Sequence, residues 1–378
     1  MADRESQILA RIAPGIATVE AAAWDTLAGA SDPFLSRAFL AALEESGSVG
    51  EGTGWTAAPI LVEGNDGVLA SVAPAYLKSH SQGEYVFDHG WADAFERAGG
   101  HYYPKLQIAV PFTPVPGKRL LGDRPQALTA AIETVVTQNG LSSAHATFID
   151  EVEVSDFANR GWLIRSGIQF HWHNRGYASF DDFLAALTSR KRKQIRKERA
   201  AAVEGLEVRA LRGAEIGRSE WDSFWEFYQH TGARKWGQPY LTRDFFTRLG
   251  ATMADHCLLF MAYRDGRPIG GALNLLGEDA LYGRYWGAIE EVPFLHFELS
   301  YYCAIKWAID HGLASVQAGA QGEHKLARGY EPVITRSAHF LPDPAFRRAV
   351  ADFLVRENEM IAVELGWCRE ALPYRSSL

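Results

Sequence analysis

"HCLLFMAYRDGRPIGGALNLLGEDALYGRYWGA", residues 256–288, sets short β-rich runs against an Asp265-Gly266 dipeptide and a second polar turn. Such dipeptides close hairpins, so the stretch reads as three consecutive antiparallel strands. Residues 55–91, "WTAAPILVEGNDGVLASVAPAYLKSHSQGEYVFDHGW", have the same order, with Asn65-Asp66-Gly67 where the other copy has Arg264-Asp265-Gly266. Each half of the chain therefore carries an antiparallel meander.

The segments C-terminal to the two meanders also correspond. Residues 131–172 and 304–341 both read as helix, Gly after the helix, strand, polar excursion and final strand. A period close to half the chain means a duplicated domain and not a solenoid. Between the copies, residues 180–208 read as one long helix: Asp181 and Asp182 suit a helix start, and Phe183, Leu184 and Leu187 form an apolar stripe before a basic run that ends near Gly205. The transition is expected near Ser179, giving domains 1–178 and 179–378. Further helices are expected over 218–231 and 242–256, joined by the loop 232–240. The order predicts an α+β fold with mixed, mostly antiparallel sheets flanked by helices.

At 378 residues the chain exceeds one usual core, and 47% hydrophobic against 22% charged residues, with 11 Trp, 14 Tyr and 20 Phe, fits a packed protein. The formal charge of -8 gives no overall pull on nucleic acid or anionic membrane, so a polyanion site must be local. Cys257, Cys303 and Cys368 lie far apart and read as reduced packing residues. The first residues lack the pattern of a signal peptide, and no window approaches the roughly 18 apolar residues of a spanning helix. A cytoplasmic protein without a transmembrane segment is expected.

Taken together, "KLQIAVPFTPVPGKRLL" (105–121), residues 169–199, "RKWGQPYLTRDFF" (234–246), "LYGRYWGA" (281–288), "FLHFELSYYCAIKWAIDHGL" (294–313) and "AGAQGEHKLARGYEPV" (318–333) resemble the FemAB-like family of N-acyltransferases. The resemblance runs from about Trp24 to Leu354. It implies two tandem GNAT-like (acyl-CoA N-acyltransferase) domains, related to the Fem peptidoglycan-bridge aminoacyltransferases. It also implies a donor that is either acyl-CoA or aminoacyl-tRNA, and an amine acceptor that is a small molecule or a cell-wall precursor. A peptidoglycan or sugar-peptide recognition protein on the same scaffold is the alternative.

In the Fem enzymes a lysine in the segment matching 318–333 counters negative charge on the reacting carbonyl, and the resemblance puts that position on Lys325. Acyl transfer to an amine needs a base for the amine proton and donors for the tetrahedral oxyanion. Glu323 or His324 has the chemistry of the base, and Lys325 or Arg328 that of the stabiliser. Gly319, Gly322 and Gly329 would let backbone approach a ligand, although a solvated loop of mutually paired charges has the same composition.

Other candidates surround this segment. Strict alternation in "LYGRYWG" would put Tyr282, Arg284 and Trp286 on one strand face, a binder of carboxylate, phosphate or sugar unless Arg284 pairs with a neighbouring acid. Glu298 and Tyr301 near a helix start, and Tyr330 after Gly329, are further substrate-binding candidates, with a structural role for Glu298 as the plain alternative. Lys235 and Trp236 fall in the loop that closes on the acceptor in acyltransferases of this fold. Lys105 belongs to a proline-stiffened segment and could face a cleft.

For the donor, the phosphate loop Q/R-x-x-G-x-G/A of coenzyme A enzymes is missing from the C-terminal copy. In the N-terminal copy Gly117, Lys118, Arg119 and Gly122 could hold a phosphate, or form an ordinary basic turn. The basic helix, with Arg190, Arg192, Lys193 and Arg196 among seven cations in ten positions, suggests a phosphate-rich partner such as tRNA, against a merely solvated face. His171 and His173 share a strand face but have no third ligand at useful spacing, so no metal is expected.

Overall fold

A computed structural model describes residues 9–375 apart from 65, 236–238 and 320–321; of Ala233, Arg234, Lys235 and Glu323 it describes the backbone alone. The chain forms two compact units. One comprises the residues up to Gly167 together with Ile334–Ala362, the other Ile168–Val333 together with Val363 onward.

The first unit holds β1 (Leu9–Ile12), β2 (Trp55–Ala57), β3 (Ile60–Glu63), β4 (Leu69–Ala73), β5 (Ala75–Lys78), β6 (Lys105–Ile108), β7 (Leu121–Gly122), helix α1 (Pro125–Gln138) and β8 (Ala144–Ile149). Strand β9 (Leu163–His173) carries the chain into the second unit. There follow α2 (Phe180–Ala186), α3 (Ser189–Ala202), β10 (Glu207–Arg212), α4 (Arg218–Lys235), α5 (Arg243–Thr252), β11 (Cys257–Arg264), β12 (Arg267–Leu276) and β13 (Ala280–Ala288). Next comes α6, built of Leu295–Phe297, a π-helical turn Glu298–Tyr302 and Cys303–Asp310, and then β14 (Ser315–Gln317). Strand β15 (Glu331–Phe340) returns the chain to the first unit, and α7 (Pro344–Glu370) ends it.

The division differs from the expected cut near Ser179. Residues 336–340 of β15 pair antiparallel with β8, and Phe346, Val350 and Leu354 of α7 pack on Trp91 and Tyr102. Apolar burial thus returns the end of the chain to the first unit.

In the first unit the expected meander is split. Strands β3 and β4 pair within the sheet β1-β3-β4-β7, while β2 and β5 pair at the edge of a second sheet that continues through β6 and β8. Pro59 and Pro74 stand at the two points where the hairpin changes sheet, and neither has an N–H to continue a ladder. Behind β6 and β8, Leu128, Ile132 and Val136 of α1 close an apolar core with Leu106, Ile108 and Ala146.

In the second unit the strands run β10-β11-β12-β13-β14-β9. The Asp265-Gly266 turn has φ of 51° and 77° at its two central residues, the geometry a two-residue hairpin prefers. Helix α4 lies directly on the sheet because Gly287 carries no side chain: a Cβ there would sit 2.2 Å from the Phe227 carbonyl oxygen. The core joins Phe260 and Leu281 of the sheet to Leu295, Leu299 and Ile305 of α6.

The basic segment is two helices and not one. Leu187 is buried and bridges to Tyr374, and the Thr188 N–H donates to the Pro373 carbonyl, so tertiary pairing breaks the helix at 187–188. In α3, Ile195, Glu198 and Ala202 face inward.

Candidate active site

Two irregularities in the second unit's sheet open one site. Strands β13 and β14 run parallel and pair only from Ala280–Ser315 to Tyr282–Gln317. One residue further on, the β12–β13 register slips: Asn274 faces Gly283 and Leu273 faces Tyr285, leaving Arg284 as an extra residue. A bulge of this kind re-aims side chains. The expected strict alternation therefore fails at Arg284, and Gly283, Arg284, Tyr285 and Trp286 all border one cavity of about 90 Å³, with His296 and Tyr301 of α6 and Ala318 after β14 completing its wall. Trp286 and His296 also line a neighbouring cleft of about 230 Å³, whose wall includes Glu290, Glu291 and Phe294.

The polar excursion after β14 forms a 3-10 turn, Glu323–Arg328, beside α6. His324 is exposed, and its Nε2 lies 2.9 Å from the Tyr301 hydroxyl. Burial pushes that hydroxyl's pKa up to about 12. Arg328 is buried with its guanidinium over the Phe297 ring at 3.4 Å; Nη1 donates to the His324 carbonyl (2.8 Å) and Nη2 to Glu198 Oε2 (2.9 Å). The same Glu198 oxygen accepts the Tyr302 hydroxyl at 2.5 Å.

Lys325 is 1% exposed. Its Nζ donates to the Gly319 carbonyl at 2.7 Å, and among the described residues no carboxylate pairs with it. Burial alone pulls its pKa from 10.5 to about 7, because an ammonium out of water without a counter-charge is disfavoured. Gly319, with φ of 77°, comes directly after the cavity residue Ala318. Tyr330 is fully buried, its ring 5.6 Å from that of Tyr301, and its hydroxyl has no hydrogen-bond partner among the described residues.

Of the residues singled out in the sequence, His324, Lys325, Arg328, Tyr301, Tyr330, Arg284 and Trp286 thus share one region of the second unit. Glu298 is turned elsewhere. Both its oxygens are held by Arg199 at 2.7–3.1 Å, so it is already an ion-paired structural carboxylate. Trp236 lies outside the described residues, as do the side chains of Lys235 and Glu323. On the basic helix Arg190 and Lys193 are exposed, Arg192 is half-buried, and Arg196 pairs with Asp181 at 2.8 Å.

Two expectations on the first unit are corrected. Arg119 does not offer its guanidinium to a phosphate: it is 1% exposed and donates to the carbonyls of Thr147, Lys118 and Val115. The backbone N–H groups of Arg119 and Leu120 are taken by Glu153 at 2.7–2.9 Å, so a carboxylate of the unit itself fills the anion position beside Gly117 and the exposed Lys118. Lys105 faces no open cleft either. It is wholly buried, donating to Ser81 Oγ (2.8 Å), Glu84 (2.8 Å) and Asp88 (2.5 Å), while Asp88 also accepts the Tyr102 hydroxyl at 2.7 Å.

Sequence reasoning passed over Glu198 as an interruption of the basic run. Its spacing to Ile195 and Ala202, three back and four on, is the mark of the inward face. Asn274 left no comparable signal, since a bulge between strands is a tertiary feature.

Among the described residues no group of His, Cys, Asp and Glu is placed to hold a metal ion, and no helix is long and apolar enough to cross a membrane. The family described as FemAB-like, peptidoglycan biosynthesis/recognition, matches residues 15–376. No curated protein matches the chain. Among solved structures, FemX is 13% identical with a TM-score of 0.54, covering 90% of this chain and 99% of its own. L-PGS from Bacillus licheniformis is 11% identical with a TM-score of 0.51, covering 87% and 98%. At this identity the likeness shows the fold, which is the tandem GNAT-like α+β class.

Proposed function

The chain belongs to the FemAB-like family of peptidoglycan biosynthesis or recognition proteins, and from that membership we propose that it is a transferase that moves an acyl or aminoacyl group directly onto an amine. The observation that carries the reading is Lys325, a buried ammonium with one carbonyl partner and, among the described residues, no counter-charge. Such a group interacts weakly with a neutral ground state and strongly with an oxyanion as it forms, which is what lowers a transition state.

The acceptor amine enters by the cleft of Trp286, Phe294 and Glu291, where an acid and aromatic faces suit a cationic amine, while Glu290 of the same cleft is paired with Arg264. His324, exposed and held by Tyr301, takes the amine proton, with Glu323 as the other candidate base. The nitrogen attacks the donor carbonyl, the C–N bond forms, and the bond to the donor's oxygen or sulfur breaks. Lys325 and Arg284 hold the negative charge. Arg328, fixed by Glu198, positions His324 through its carbonyl. The donor is acyl-CoA or aminoacyl-tRNA, the latter engaged by the basic helix, and the acceptor is a small-molecule or cell-wall-precursor amine.

The test offers purified protein each donor class in turn, with amine-bearing peptidoglycan precursors, and follows product mass. A mass increase that Lys325→Ala abolishes while the fold persists supports the reading. Saturable binding of the precursor with no transfer from any donor would replace it with a recognition role.

A further inference from the structure

A cavity of about 460 Å³ lies elsewhere in the second unit, among α2, α3 and α6. Its volume is that of a site for a small organic ligand. Phe180 and Leu184 from α2 and Ala200 and Val203 from α3 give the apolar part of its wall, and the acid Asp181 lines it beside them. Arg199 closes one side, its guanidinium 4.4 Å from the Phe180 ring centroid and its charge spent on Glu298. Arg196 and Lys306, both more than half exposed, also line it.

We propose that this cavity binds an amphipathic anion, an apolar chain that ends in a single carboxylate or phosphate. The chain would cover Leu184, Ala200 and Val203, and the head would meet Arg196 and Lys306. Among the described residues both cations pair with surface acids. Arg196 and Asp181 are 59% and 78% exposed, and Lys306 and Asp310 are 52% and 42% exposed. Exposed pairs of this kind are worth little and exchange readily for a better-placed anion. Arg199 and Glu298 neutralise each other, so this part of the wall carries no uncompensated charge. The exposed Lys197 and Lys193 of α3 add to the positive field on this face of an otherwise acidic protein.

Calorimetric titration of the full chain with dodecanoate and with dodecyl phosphate, below their micellar concentrations, tests this without any transfer assay. The expected result is one saturable site for at least one anionic chain and none for dodecyltrimethylammonium. Preference for the phosphate points to a lipid-like head, preference for the carboxylate to a free acid. Ala200→Trp, at an exposed helix position, should weaken binding at least tenfold by filling the cavity. Arg196→Glu and Lys306→Glu should each weaken it roughly three- to tenfold. Failure of both anionic chains to bind, equal binding of the cationic chain, or unchanged affinity in Ala200→Trp and Lys306→Glu would overturn the assignment.

Discussion

Glu198 of the basic helix and Arg328 of the turn after β14 form an ion pair at 2.9 Å with each side chain 7% exposed, although 130 residues separate them. The pair ties a helix of the second unit to the turn that carries His324 and Lys325. Arg328 Nε is buried and, among the described residues, has no hydrogen-bond partner, so without the carboxylate only the His324 carbonyl and the Phe297 ring would hold the guanidinium.

Glu198→Ala should therefore destabilise the protein by about 3–5 kcal/mol, since removing one partner strands a buried charge. Urea unfolding measures this. Replacing both partners together, Glu198→Leu with Arg328→Met, should recover most of the loss, and a double variant no more stable than Glu198→Ala would count against the pair as the cause.

Lys325→Met should abolish transfer and yet raise stability by about 1–3 kcal/mol, because it removes a buried charge that nothing neutralises. The lowered pKa also sets a pH dependence. Between about 7 and the ordinary lysine value of 10.5 the unfolded chain binds the proton and the folded one does not, so wild-type stability gains as pH rises. The advantage of Lys325→Met over wild type should be greatest at and below pH 7 and shrink toward pH 10 in thermal unfolding.

In the first unit, Lys105→Met should cost about 3–5 kcal/mol by leaving Glu84 and Asp88 buried without their shared cation. Burial pushes the Glu84 pKa up to about 7 in spite of Lys105. The folded state thus holds a proton that the unfolded state releases above about 4.5, and stability falls as pH rises from 4.5 to 7. Glu84→Gln should flatten that slope. For Asp88, burial is outweighed by Lys105 and by the hydrogen bonds it accepts, which hold its carboxyl well below the usual range, so its contribution is lost only in strong acid.

Gly287→Ala should destabilise by about 1–3 kcal/mol, because the new methyl meets the backbone of α4 and not a flexible side chain. The loss should appear as a lower thermal midpoint. An unchanged midpoint would show that α4 lifts from the sheet at no cost.

The parts of this architecture written in local patterns were legible in the sequence. The Asp265-Gly266 hairpin and the strands around it depend on neighbours only a few residues away. The cluster of His324, Lys325 and Arg328 was legible as chemistry. What escaped depends on distant partners: Leu187 breaks its helix to meet Tyr374, Arg284 is displaced by a slip against β12, and Lys105 and Arg119 spend their charges inward on groups that arrive from other parts of the chain. A lysine or arginine in a sequence looks the same whether it waits for a ligand or is already satisfied.

The return of β15 and most of α7 to the first unit also bears on how the protein is made. On a ribosome the first 167 residues emerge with β8 still lacking β15 and with Trp91 and Tyr102 uncovered by Phe346, Val350 and Leu354. At about 5–20 residues per second, roughly 10 to 40 s pass before the chain through Ala362 has been made. During that interval the nascent first unit presents an open strand edge and bare aromatic surface, so vectorial synthesis alone cannot finish it, and a chain cut short before β15 would leave an N-terminal product destined for chaperones or proteolysis.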